Sequence, residues 1–97
     1  MRYLIVDGML SGTGVRDAVS GGYVELSELG LSPNSVEVIA SWLVRYDAAH
    51  YRQFNDSREV EALDDIGLEL CDLLARELPG NKIGYFSAAR MEKLKSA

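Results

Sequence analysis

The hydrophobic pattern of the chain begins with "RYLIVD", residues 2–7, a β-branched and apolar run without strict alternation. That pattern predicts a strand covered on both faces. Residues 8–22 carry five glycines and predict a long loop, with one helical turn at residues 15–19 that Gly21 ends. "YVEL", residues 23–26, fits either a short strand or part of a bend. In "LSPNSVEVIASWLVRYDAAH", Ser32 is placed to cap a helix and Pro33 to take its first position. Val36, Ile39, Trp42, Leu43 and Tyr46 then share one face, which is expected to meet the core, while Glu37, Ser41 and Arg45 face water. A second helix is expected over residues 57–78. Asp56 caps it with Glu59 in capping-box spacing, and Pro79 stops it. Its apolar face carries Val60, Leu63, Ile66, Leu70, Leu73, Leu74 and Leu78, and Gly67 in the middle leaves room for another backbone to come close. "KIGYFS", residues 82–87, supplies a closing strand. The expected fold is α+β: one domain over residues 1–97, with two main helices packed on a small sheet of two or three strands.

Composition narrows the functional classes. The 97 residues are 47% apolar and 26% charged, ordinary values for a globular domain. Ten basic against 15 acidic residues leave a net charge of −5, a sign that repels nucleic acid and anionic lipid unless a local patch reverses it. The one basic cluster in sequence, Arg90, Lys93 and Lys95, reads as a solubilising end. The single Cys71 cannot form an internal disulfide and is expected as a buried, inert thiol. No signal-peptide pattern opens the chain and no apolar run approaches membrane-spanning length. A cytoplasmic protein with no direct nucleic-acid or membrane contact is expected.

The second helix holds the most informative charge pattern. Glu61, Asp65, Glu69 and Asp72 recur at intervals of four, four and three residues and fall within roughly 80° of one another around a helix. Between Asp56 and Asp72 seven carboxylates, Asp64 among them, stand against the single Arg58, a net of −6 in seventeen residues. Like charges one turn apart disfavour a helix by a few tenths of a kcal/mol per pair. Two readings follow. One is a solvated face that keeps the chain soluble; the other is a surface shaped for a basic partner, because carboxylates repeated every turn imitate a phosphate backbone and steer association.

Catalytic signatures are scarce. His50 follows Asp47 by three residues, which allows an oriented acid–base pair, but no nucleophile signature accompanies it. His50, Tyr51 and Phe54 are expected to close the core or join an interface. No loop pattern converges hard ligands on a metal. "DGMLSGTGVRD", residues 7–17, has the glycines of a phosphate loop without either the Walker or the dinucleotide spacing. It is expected as a shaped surface loop with Arg16 and Asp17 available for contacts; an anion nest at Arg16 is the alternative.

"ELGLSPNSVEVIASWLVRYD" followed by "FNDSREVEALDDIGLELCDLLARELPGNKIGYFS" resembles small bacterial proteins found beside secreted polymorphic toxins, and "GMLSGTGVRDAVSGGYVEL" resembles immunity proteins of contact-dependent growth inhibition systems. The shared features are Leu29-Gly30-Leu31-Ser32, Trp42 with Tyr46, Asp64 to Gly67, and Tyr85-Phe86. The resemblance implies a cytoplasmic inhibitor that binds one cognate toxin, often a nuclease acting on tRNA, and covers its active site without a cofactor or catalytic residues of its own. The expected partner-binding residues are Glu61, Asp64, Asp65, Glu69 and Asp72 on the second helix, with Arg16 and Asp17 on the loop. The alternative is a small enzyme or phosphate-ligand binder using residues 8–17 and His50.

Overall fold

Four strands form one sheet in the order β2-β1-β3-β4, one strand more than the upper end expected from sequence. The structure is a computed structural model that describes residues 2–96. The apolar opening run becomes β1, Tyr3–Asp7, which pairs in parallel with β3, Lys82–Ser87, at the centre of the sheet. The edge β2, Val15–Asp17, lies antiparallel to β1, and the other edge, β4, Glu92–Lys95, lies antiparallel to β3 across a register shift.

Both edge strands depart from the sequence expectation. Residues 15–17 are extended, not helical: they lie in register against Val6, Ile5 and Leu4, and these contacts override the weak local turn signal. The expected turn starts only after them. The Asp17 carboxylate accepts from the amides of Val19 and Ser20, and Gly21 ends the turn at φ 83°. "YVEL" contributes a strand-like return, with Tyr23 bridged to Arg16 and the Val24 amide bonded to Val15 O. The basic C-terminal segment is β4 and not a free tail.

The helices follow their sequence signals closely. Helix α1, Pro33–Tyr51, is capped by Ser32, which accepts from the Ser35 amide, and α2, Ser57–Glu77, by Asp56, which accepts from the amides of Arg58 and Glu59. Glu59 does not close a capping box. Its carboxylate takes two bonds from Arg45, at 2.7 and 3.3 Å, so Arg45 joins the two helices although it lies on the exposed side of α1. At the far end the Glu77 carboxylate accepts from the Ser32 amide at 2.8 Å and from the hydroxyls of Ser32 and Ser35, tying the end of α2 to the start of α1.

Both helices cover the same face of the sheet. Leu4 and Val6 of β1, Val15 of β2, and Ile83 and Tyr85 of β3 pack with Ile39, Trp42 and Tyr46 of α1 and Leu63, Leu70 and Leu74 of α2. Val36, Leu43, Ile66 and Leu73 are only half-buried, at the margins of that core. Gly67 admits a close neighbour, but the neighbour is a side chain: a Cβ there would lie 2.3 Å from the Tyr85 ring. Trp42 donates its indole N–H to Leu63 O at 2.9 Å, which fixes α1 against α2. No helix of the described residues is long and apolar enough to cross a membrane.

Candidate functional site

The outward ridge of α2 carries Glu61, Asp65, Glu69 and Asp72, all exposed. Among the described residues none of the four has a cation within 4 Å. A helix rises about 1.5 Å per residue, so Glu61, Asp65 and Glu69 repeat about every 6 Å along the axis. Depressions lie along both sides of the ridge; one, of about 240 Å³, sets Glu69 beside Leu73 and Arg76. A second, of about 350 Å³, lies between the helices, with Val38, Trp42 and Ile66 in its lining and Glu37 and Arg45 beside them. A third, of about 210 Å³, lies between α2 and β4, where Glu61, Asp65 and Glu92 surround Leu68, Leu94 and Arg90.

Asp64 sits apart from its acidic neighbours. It is 4% exposed and accepts from the Tyr85 hydroxyl at 2.6 Å, the Ser87 hydroxyl at 3.1 Å and Arg90 Nε at 2.8 Å. Its place in the sequence, between Leu63 and Asp65 on a helix, turns it 100° from the ridge toward the sheet. A buried carboxylate needs such donors, because an unpaired one costs several kcal/mol of desolvation. Burial first, and then the bond to Asp64, push the Tyr85 hydroxyl well above its ordinary pKa; the same carboxylate holds the Arg90 guanidinium above its own. Asp64 is thus a core carboxylate, held by Tyr85, Ser87 and Arg90 at the floor of the depression that Glu61 and Asp65 also line. Only the alternation of Tyr85 and Ser87 on one side of β3 hinted at it in sequence.

Arg16 and Asp17 are also held within the fold. Arg16 Nε lies 2.9 Å from the carboxylate of Asp7, which is 1% exposed and also accepts from the Tyr23 hydroxyl at 2.6 Å. Asp17 caps its turn and meets Arg2 at 3.4 Å; the two backbone amides lead the causes that hold its carboxyl below the ordinary value. The glycine loop folds over α1. A Cβ on Gly8 would lie 2.5 Å from the Tyr46 ring, and Gly14, at φ 97°, packs against Ile39. The strongest cationic side chain of the loop therefore already faces a buried anion.

No protein-family model and no characterised protein matches this chain. What the surface can bind is read from its own groups.

His50 is half-buried, with Nε2 2.9 Å from Gly8 O and its ring edge-on to Phe54 at 4.7 Å. It joins α1 to the glycine loop, and no hydrogen bond to Asp47 forms among the described residues. Cys71 is fully buried near the Gly84 carbonyl, and burial pushes its thiol up to about 12. Phe54 packs on Tyr46 and His50, while Tyr51 stands 82% exposed. Among the described residues no three His, Cys, Asp or Glu side chains are grouped to hold a metal ion. The four solvent-facing carboxylates of the α2 ridge form no ion pair within 4 Å among the described residues.

Proposed function

We propose that this protein is an immunity protein: a cytoplasmic inhibitor that lays the acidic ridge of α2 into the basic active-site cleft of a cognate toxin domain, a nuclease of the tRNA-cleaving kind. The observation that carries this reading is the row Glu61, Asp65, Glu69 and Asp72, exposed and, among the described residues, with no cation within 4 Å, on a helix that close cations would stabilise. A nuclease cleft lines its substrate path with Lys and Arg, and carboxylates spaced about 6 Å apart offer those cations a substitute for phosphates. Asp65 and Glu69 stand nearest the middle of the row and make the central contacts; Glu61 and Asp72 lie toward the rim. The resemblance to immunity proteins of contact-dependent growth inhibition systems supports the same reading, as does the net charge of −5.

The direct test pairs the protein with the toxin domain encoded by the adjacent reading frame. Co-expression is expected to restore growth and calorimetry to give a 1:1 complex of submicromolar affinity. An adjacent frame without a toxin domain, or a toxin whose activity and growth arrest are unchanged by excess of this protein, would overturn the proposal.

A further inference from the structure

The second face of the sheet is bare of helices. In the pleat, residues that pair across neighbouring strands point the same way. Opposite the core, this rule puts Tyr3 beside Lys82, then Tyr23, Arg16, Ile5 and Gly84 in one row, then Asp7, Phe86 and Lys93 in the next. Each aromatic ring of the face is thereby set near a cation. Lys82 Nζ sits 5.4 Å from the Tyr3 ring centroid, Lys93 is the register partner of Phe86, and Arg16 is bridged to Tyr23. Among the described residues of the four strands, the one acid on this face, Asp7, is buried and paired with Arg16, which leaves Lys82 and Lys93 as the cations of the face. Lys82 and Lys93 are exposed, Tyr3 and Tyr23 are 36% and 37% exposed as residues, Phe86 is half-buried, and the Tyr23 ring packs against Gly12.

We propose that this face binds single-stranded nucleic acid. Bases stack on any aromatic face while Lys and Arg track the phosphates, and a sheet presents both on a flat platform. The sequence concealed the patch because Lys82 and Lys93 come from separate strands, so the expectation of no nucleic-acid contact reflects the net charge and the lack of a basic cluster there in sequence. Most of the acids that set that charge lie on α2, where Glu61 and Asp65 border the β4 edge of the sheet through the depression they share with Glu92 and Leu94.

The test uses fluorescein-labelled dodecamers of uridine and thymidine, read by anisotropy at 50 and 300 mM salt, with a polyglutamate of similar length as competitor. Wild type is expected to bind with a dissociation constant below about 100 μM at low salt, with little competition from polyglutamate. Phe86→Ala weakens binding at least about fivefold, the lower end for one lost stack, and Lys82→Glu with Lys93→Glu abolishes it. Thermal melts control for folding, and Phe86→Leu replaces the alanine variant if that variant melts early. No saturable binding at 1 mM protein overturns the proposal. So does binding that is indifferent to Phe86 and displaced by polyglutamate, which marks an acidic peptide or a general anion as the ligand.

Discussion

Gly67→Ala isolates the contact on which the helix–sheet packing turns. Taken alone, the substitution favours α2 by about 1 kcal/mol, because alanine restricts the unfolded chain and suits a helix. In the fold, the new Cβ would stand 2.3 Å from Tyr85 Cε1 and 2.4 Å from Cζ. Ordinary carbon contacts need about 3.5 Å, so the ring must retreat by more than 1 Å. It has nowhere to go: Tyr85 is fully buried, tilted against Trp42 at 6.2 Å and bonded to Asp64 at 2.6 Å. Overpacking costs about 1–3 kcal/mol, and loss of a hydrogen bond to a charged group about 1.5–3. After the helix gain, a net loss of about 1.5–5 kcal/mol remains. At about 4–8 °C per kcal/mol for a domain of this size, the melting temperature falls by roughly 6 °C or more. Circular dichroism melts with urea titrations measure it. In a Tyr85→Phe background, where the hydroxyl bond is already gone, the same substitution is expected to cost less, by about 0.5–3 kcal/mol of coupling. An alanine variant that melts at or above wild type would refute the fixed-ring account.

Arg16→Ala leaves the Asp7 carboxylate buried without its cation and is expected to destabilise the fold by about 3 kcal/mol; adding Asp7→Asn recovers part of that loss in the same melts. The Glu77 carboxyl is held below its ordinary value by the Ser32 amide first and then the Ser35 hydroxyl. A depressed carboxyl stabilises the fold above the unfolded pKa of about 4.3 and loses that effect as pH falls through the folded value. Wild type should therefore outlast Glu77→Gln in urea at pH 6, with the gap closing below about pH 4; a gap independent of pH would contradict the assignment. Cys71, its thiol near 12 and fully buried, should react with a chromogenic disulfide at pH 8 about a hundredfold or more slowly in the native protein than in denaturant.

The long-period signals were legible in the chain. Ser32 with Pro33 and Asp56 with Pro79 announce the helix ends, and the apolar runs at residues 2–7 and 82–87 announce the central strands, because each signal is local and strong. The edge strands were not legible. Val15–Asp17 is three residues long in a glycine-rich stretch, and Glu92–Lys95 has two lysines and no apolar alternation, so both become strands only through pairing with β1 and β3. The buried carboxylates were hidden for a related reason. Asp7, with Arg16 and Tyr23, and Asp64, with Tyr85, Ser87 and Arg90, draw donors from 9 to 26 residues away. From spacing alone Asp64 was indistinguishable from Asp65, one residue and 100° further round the helix. The ridge itself was legible, because helical periodicity fixes which carboxylates share a face.

The central claim is that Asp65 and Glu69 contact a basic partner, and the most direct test compares wild type with the Asp65→Lys, Glu69→Lys double variant. Each is to be measured by surface plasmon resonance against the adjacent-frame toxin domain, at 50 and 300 mM salt. Both side chains are exposed and unpaired, so the melting temperature should stay within a few degrees of wild type. Truncating a buried interfacial charge costs about 2–5 kcal/mol, mostly as faster dissociation, whereas a rim charge changes the salt-dependent association rate. The account predicts at least tenfold weaker binding, carried mainly by the dissociation rate and persisting at high salt. A folded double variant that binds as tightly as wild type at both salt concentrations would contradict it and leave the ridge a solvated face.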